Sequence, residues 1–232
     1  MSPDSTRSSG KEPPPVTAVT ANFKTPQLVK DCVVSVLKFY PGLPYVLIDN
    51  GGCKRSLSAV RELKKKYPHV HLIENDRNIG HGPALNQGLK HVSTPYALLL
   101  DSDTRAKKPG FIERMLKVFK EDPKLFAIGW LRYVGHNGVA TPQQNGSQGK
   151  KYIHPSTCML DVKKFQGLHP FVHSGAPATK LMHSARKKKY HLKYFPVSEY
   201  IWHKVAGTRG MFGGECRVKT DAKPGKWRKH RI

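Results

Sequence analysis

Apolar positions along the first hundred residues follow two alternating rhythms. VTAVTAN (16–22), PYVLID (44–49), VHLIEN (70–75) and YALLL (96–100) are short β-branched or continuous apolar runs, each leading into polar residues, which is how buried strands read. Between them the spacing becomes helical: Leu28, Cys32, Val36 and Leu37, then Val60, Leu63 and Tyr67 in a basic amphipathic stretch over 56–67, then residues 80–92 behind a glycine-containing loop. Thr25 and Pro26 supply the first helix with an N-cap and a first-turn proline. Strand and helix alternating at this spacing predict an α/β fold, a mostly parallel sheet flanked by helices on both faces. Ligands of such sheets bind beyond the carboxyl ends of the strands, and Asp49 and Asp101 sit at two of those ends.

After Asp103 the pattern loosens. Residues 109–121 predict a helix through Phe111, Ile112, Met115, Leu116 and Phe119, and LFAIGWL (125–131) predicts a strand. A helix with a very basic end follows at 178–189, and 191–203 is strand-like. The polar stretch 134–151 reads as a long loop of the kind that forms lids. Residues 1–15, rich in Ser, Pro and charge, read as a disordered arm, and 221–232 as a basic tail. A single domain over 16–220 remains, with no internal repeat.

Charge changes this picture. The 232 residues carry 40 Lys and Arg against 16 Asp and Glu, a net +24 at pH 7. Residues 1–104 hold 13 basic and 9 acidic side chains; residues 105–232 hold 27 and 7, together with eight of the twelve histidines. Self-repulsion on that scale points to a polyanionic partner for the second part. Its basic residues, densest at Arg186, Lys187, Lys188 and Lys189, are interleaved with Tyr152, Tyr190, Tyr194, Tyr200, Trp202 and Trp227. Basic, aromatic-lined surfaces suit a DNA backbone and a stacked or extruded base. No apolar run approaches the ~20 residues of a membrane span, and MSPDSTRSSGKEPPP has no secretory apolar stretch. Cys32, Cys53, Cys158 and Cys216 lie far apart without a C-x-x-C pair, which argues against a disulfide framework or zinc ribbon and for a cytoplasmic location.

The candidate chemistry begins with Asp101-Ser102-Asp103 at the end of an apolar strand. Two carboxylates one residue apart suit a hard divalent cation, Mn²⁺ or Mg²⁺, with open positions for a diphosphate. Upstream, NDRNIGHGPALNQGL places glycines and a helix start where a phosphate or sugar can approach the backbone. The ordered series VTAVTANFKTPQLVKDCVVSVLKFY, YVLIDNGG, NDRNIGHGPALNQGL and YALLLDSDT resembles the donor-binding half of inverting family-2 glycosyltransferases of GT-A fold, over roughly residues 16–104. The resemblance implies that Thr20, Asp49 and Asn50 contact the base and ribose of a UDP-sugar. It implies that Asn78, Gly80, His81, Gly82 and Asn86 line the donor pocket, and that Asp101, Ser102 and Asp103 hold ribose, metal and diphosphate. EYIWHKVAGTRG resembles the closing segment of that family, which makes His203 a metal ligand and assigns Gly207, Thr208 and Arg209 to the diphosphate.

One departure stands out. The acidic pair that supplies the family's general base is absent: Gly175 to Ala178 occupy its place in HPFVHSGAPATKLMH. His173 is the nearest chemically competent substitute, with Asp161 as the other candidate and an N-cap as that residue's plainer role. Together with the basic second half, the altered segment leads to an expected function: a metal-dependent hexosyltransferase acting on 5-hydroxymethylcytosine or a related hydroxymethyl pyrimidine in DNA, similar to bacteriophage enzymes and placed in the host cytoplasm if viral. Two alternatives stay open. One is transfer to an acidic envelope polysaccharide or lipid-linked acceptor; the other is a nucleic-acid-binding module without activity.

Overall fold

The computed structural model describes residues 13–134, 140–141, 150–172 and 177–204. The elements are β1 (Val16–Asn22), α1 (Pro26–Phe39), β2 (Tyr45–Asn50), α2 (Lys54–Lys66), β3 (Val70–Asn75), α3 (His81–Leu89), β4 (Tyr96–Leu100), β5 (Thr104–Ala106), α4 (Phe111–Glu121), β6 (Leu125–Val134), β7 (Ala140–Thr141), β8 (Lys150–Asp161), α5 (Val162–Gln166), α6 (Thr179–Lys187), β9 (His191–Tyr194) and β10 (Ile201–His203), with a 3₁₀ turn at Val197–Glu199. The main sheet runs β3-β2-β1-β4-β8-β6-β7, with β9 also on β6; β5 and β10 form a separate two-stranded ribbon. β3, β2, β1, β4, β6 and β9 share one direction, and β8 and β7 oppose them. This is the expected α/β architecture with a mostly parallel sheet.

Strand alternation sends side chains to two cores. Ala18, Leu47, Leu98 and Leu100 face α1, α2 and α4; Val19, Ile48 and Leu99 face α3 and α6. Because both faces are covered, the central strands are apolar throughout rather than alternating. The buried stripe of α1 is Val29, Cys32, Val33, Val36 and Leu37, with Leu28 half-buried.

Differences from the expected elements cluster in the second half. The helix expected over 80–92 stops at Leu89, and 191–203 divides into two short strands around the 3₁₀ turn. The loop expected over 134–151 is narrower: β6 extends to Val134, β8 opens at Lys150, and β7 lies between; the rest of that stretch is outside the described residues, as are residues 1–12 and the basic tail. The long strand β8 escapes sequence reading because Pro155 interrupts it and its polar HPST stretch breaks the apolar run. No helix among the described residues is long and apolar enough to cross a membrane.

Candidate active site

β4 delivers Asp101 to the carboxyl edge of the sheet, where the chain turns sharply. The amide of Thr104 and its hydroxyl both donate to the Asp101 carbonyl, at 3.0 and 2.8 Å. The Asp101 amide donates to the Ser156 carbonyl of β8 at 2.9 Å. The turn feeds β5, and β5 pairs with β10 so that His203 lies opposite Thr104. That pairing brings two distant segments together: His203 Nε2 sits 3.2 Å from Asp103 Oδ1, and one ligand atom from each of Asp101, Asp103 and His203 lies within 4.8 Å of the others. Asp103 is 8% exposed, and its Oδ1 is buried with no hydrogen bond of acceptable geometry. An ionised oxygen left in that state costs free energy unless a cation completes it. Two carboxylates and an imidazole also suit Mn²⁺ or Mg²⁺, the carboxylates as hard oxygen ligands and the imidazole inclining toward manganese. The residues fit the metal that the sequence implies.

The electrostatics of the site are those of clustered opposite charge. Burial opposes a cation on His81, but the Asp101 carboxylate, 3.2 Å from His81 Nε2, outweighs it and raises the His81 pKa. Proximity to the Asp103 carboxylate likewise raises that of His203. Burial acts to raise the Asp101 pKa, yet the surrounding histidines, His81 first, hold it below the ordinary carboxylate value.

A buried polar chain fixes the turn from behind. Ser102 Oγ meets Thr25 Oγ1 at 3.2 Å, Thr25 donates to Asn22 Oδ1 at 2.7 Å, and Asn22 Nδ2 donates to Asp49 Oδ1 at 3.1 Å and to Ser56 Oγ at 2.7 Å. Ser56 in turn donates to Asp49 at 3.0 Å, and the Gly52 amide reaches its other oxygen at 3.1 Å. Each member is satisfied, as buried polar groups must be.

The cleft at this edge has a volume of about 600 Å³ and is lined in part by Asn22, Phe23, Asn50, Asn78, His81, Asp101, Ser102, Asp103, Arg132, His154, His203 and Lys204. Its far wall comes from an irregularity in pairing. The β6–β8 register jumps from Gly129↔Cys158 to Leu131↔Ile153, so one residue of β6 faces four of β8. Bulges re-aim side chains beside active sites, and this one carries His154 into the cleft. The Ser156 amide donates to His154 Nδ1 at 3.2 Å, and burial lowers the pKa of this histidine. With Nδ1 accepting from that amide, a neutral ring presents its Nε2–H to the cleft as a donor. Beside it, Arg132 stacks on Trp130 with Cζ 4.2 Å from the ring centroid, and Trp130 packs against His154 and edge-on to His203. Arg132 and His154 belong to no motif, and Asn22, Phe23 and Lys204 lie inside stretches that carry the family resemblance without having been given a role there; the bulge and the strand ends bring all five here.

Of the sequence-assigned residues, Asn50, Asn78, His81, Asp101, Ser102, Asp103 and His203 line the cleft. Others act one layer behind it. Thr20 does not line the cleft; it is fully buried, with its hydroxyl 2.7 Å from that of Tyr45. Asp49 is 2% exposed and spends its carboxylate on the chain described above, so it holds Asn22 and the 50–52 turn rather than lining the cleft. Gly80 caps α3 at φ 95°, with its amide on Asn78 Oδ1 at 2.8 Å. Gly82 and Asn86 grip another segment. A Cβ on Gly82 would lie 2.4 Å from the Val172 carbonyl oxygen. The Asn86 side chain both donates to the Phe171 carbonyl (2.9 Å) and accepts from its amide (3.0 Å).

Asp161 is corrected. It caps α5 through Lys164 at 2.9 Å and pairs with Tyr96 at the start of β4, roughly 16 Å from Asp101 at ~3.3 Å per residue. A base there cannot reach the cleft. The run Lys187–Lys189 leads into His191, which pairs with Leu125 at the start of β6, so it occupies the edge of the sheet opposite the cleft, while Arg186 donates to the Lys151 carbonyl. His173, Gly207, Thr208 and Arg209 lie outside the described residues.

Comparison with known proteins agrees with this geometry. Poly-beta-1,6-N-acetyl-D-glucosamine synthase from Staphylococcus epidermidis is 29% identical over 114 residues, 49% of this chain and 27% of that protein. The chain spans about a third or less of the length of the curated relatives it matches. The mannosyltransferase PcManGT from Pyrobaculum calidifontis, solved in complex with GDP-Man and Mn²⁺, superposes with a TM-score of 0.62 at 20% identity, covering 82% of this chain and 59% of that one. GalNAc-T7 with UDP, GalNAc and Mn²⁺ gives 0.63 at 14% identity, covering 81% and 43%. Both likenesses are to the fold. The family model for glycosyl transferase family 2 matches residues 17–185, a span holding β1 to β4, the Asp101-Ser102-Asp103 turn and the β6–β8 wall of the cleft, and the chain belongs to that family.

Proposed function

We propose that this chain is a metal-dependent glycosyltransferase that moves a sugar from a nucleoside diphosphate, UDP in the first instance, to a saccharide hydroxyl. The observation that carries the reading is the convergence of Asp101, Asp103 and His203 on a cleft that Arg132 and Lys204 also line. A divalent ion held by those three side chains would supply charge neutralisation for the departing diphosphate. Arg132 and Lys204 offer fixed positive charge to the same oxygens, an arrangement that needs no reorganisation as charge develops. His154 adds a hydrogen-bond donor. Asn22, Asn50, Asn78 and the Phe23 ring form the wall suited to a base and ribose.

Among the described residues, no carboxylate other than Asp101 and Asp103 lines the cleft. His173, which lies outside the described residues, remains the candidate base for the proton of the acceptor hydroxyl. Likeness to a polysaccharide synthase supports a saccharide acceptor. A hydroxymethylated DNA acceptor is the second reading, supported by the net charge of +24; its densest basic run lies on the edge away from the cleft, which is why it ranks second.

The test offers purified protein UDP- and GDP-sugars with Mn²⁺, and oligosaccharides, hydroxymethylated DNA and unmodified DNA side by side. Asp103→Ala is expected to abolish nucleoside diphosphate release, and so is excess chelator. Turnover that persists in chelator would overturn the metal assignment, and transfer confined to hydroxymethylated DNA would replace the saccharide acceptor.

A further inference from the structure

We infer that the groove between α1 and the β5–β10 ribbon binds an anionic saccharide chain; only the statement that this chain is the acceptor rests on the function proposed above. The ribbon has two faces because successive strand residues point opposite ways. The Thr104 and His203 pair belongs to the active-site side, and the next pair, Arg105 and Trp202, points outward. Trp202 is 49% exposed, and Val34 on α1 is 38% exposed. Together with α1 they border a second cavity of about 750 Å³. Its lining is strongly cationic: Lys30, Lys38, Arg105 and Lys107 against Asp31. Lys30 is bridged to Glu62 at 2.6 Å and Lys107 donates to the Ser198 carbonyl. Arg105 and Lys38 make no ion pair among the described residues.

An exposed indole and cations without a carboxylate partner along one groove select a ligand with weakly positive C–H faces and anionic substituents. Sugar rings supply the first to the negative face of the indole, and uronate, sulfate or phosphate groups supply the second. Other occupants fit less well. A concave groove cannot press against a flat bilayer. The chain's own residues 205–232 carry eight Lys and Arg against two acidic residues, so like charge repels them. Single-stranded nucleic acid uses successive stacking platforms, whereas Trp202 is the one exposed aromatic ring of the lining. A polymer seated here runs along the outer face of the ribbon whose inner side carries His203.

The experiment titrates a hexagalacturonate into the full chain, with neither donor nor metal present, and follows calorimetric heat and tryptophan fluorescence. Binding is expected to weaken as salt rises. Arg105→Glu and Lys38→Glu are each expected to raise Kd about tenfold or more, the scale of one charge-assisted contact, and Trp202→Ala to abolish the fluorescence change. UDP affinity with Mn²⁺ should be unchanged in Lys38→Glu, which lies on the exposed face of α1 and keeps the test valid should Trp202→Ala fail to fold. Wild-type affinity in both charge variants would overturn the proposal. So would equal binding of a neutral hexasaccharide, or tighter binding of a single-stranded oligonucleotide at the same salt. Binding without any glycosyl transfer would leave the groove standing and remove the enzymatic reading; transfer at full rate with polymer affinity unchanged in the variants would do the reverse.

Discussion

Arg132 shows how far a single side chain in the cleft depends on a ligand. Its Nε is buried with no hydrogen-bond partner, burial lowers its pKa, and its main support is the Trp130 ring. A guanidinium held this way would be compensated by the diphosphate of the donor proposed above. Arg132→Ala is therefore expected to weaken UDP binding about tenfold or more, since a charge-assisted hydrogen bond contributes ~1.5–3 kcal/mol. Arg132→Lys should recover only part of that affinity, because an ammonium neither stacks on Trp130 nor presents a planar fork. Calorimetry with UDP and Mn²⁺ measures both, and unchanged affinity in Arg132→Ala would remove the residue from the donor site. Asp49, the motif residue, is locked behind the cleft, while Arg132, a residue of no motif, faces it.

At the scale of elements, α3 works as a clamp. Gly82 lets the 171–172 backbone approach, and Asn86 holds Phe171 by two hydrogen bonds. Asn86→Ala leaves two backbone groups without partners and is expected to cost about 1–3 kcal/mol, read as a lower denaturation midpoint. Gly82→Ala should displace the segment outright, because its Cβ meets backbone rather than a flexible side chain. The junction of α4, β6 and β9 is tied by charge. Asp122 receives Lys193 Nζ and His191 Nδ1, both at 2.9 Å, and these partners hold its pKa at about 2. The folded pKa lies below the unfolded ~3.9, so this stabilisation is complete above that value and is lost as pH falls toward 2. Solvent exposure of Lys193 and His191 limits it to under about 1 kcal/mol. Asp122→Asn should flatten the loss of stability between pH 4 and 2 in an acid titration; an identical acid limb would refute the linkage.

For the whole molecule, a net charge of +24 on 232 residues makes self-repulsion part of the stability balance. Raising salt from low to physiological strength screens it, and Tm is expected to rise by a few degrees, at ~2–4 °C per kcal/mol for a chain of this size. A Tm that falls with salt would mean attractive pairs dominate instead. At this scale the division between sequence and structure also becomes clear. The first four strands, their helices and the position of Asp101 and Asp103 were determined by the sequence itself, because hydrophobic period, caps and turns are local properties of a parallel half-sheet buried on both faces. Family kinship was legible for the same reason, since it rests on four contiguous stretches in order. The tertiary structure alone decided which of those residues reach the cleft. Thr20 and Asp49 turn inward because strand alternation and the Asn22–Ser56 bonds consume them, and Asp161 lies at the wrong edge because β8 runs against β4. His203 reaches Asp103 only through pairing of β10 with β5, a contact a hundred residues apart in sequence. His154 and Arg132 face the cleft because a bulge between two antiparallel strands redirects them, and a bulge is a property of the pair, written in neither strand alone.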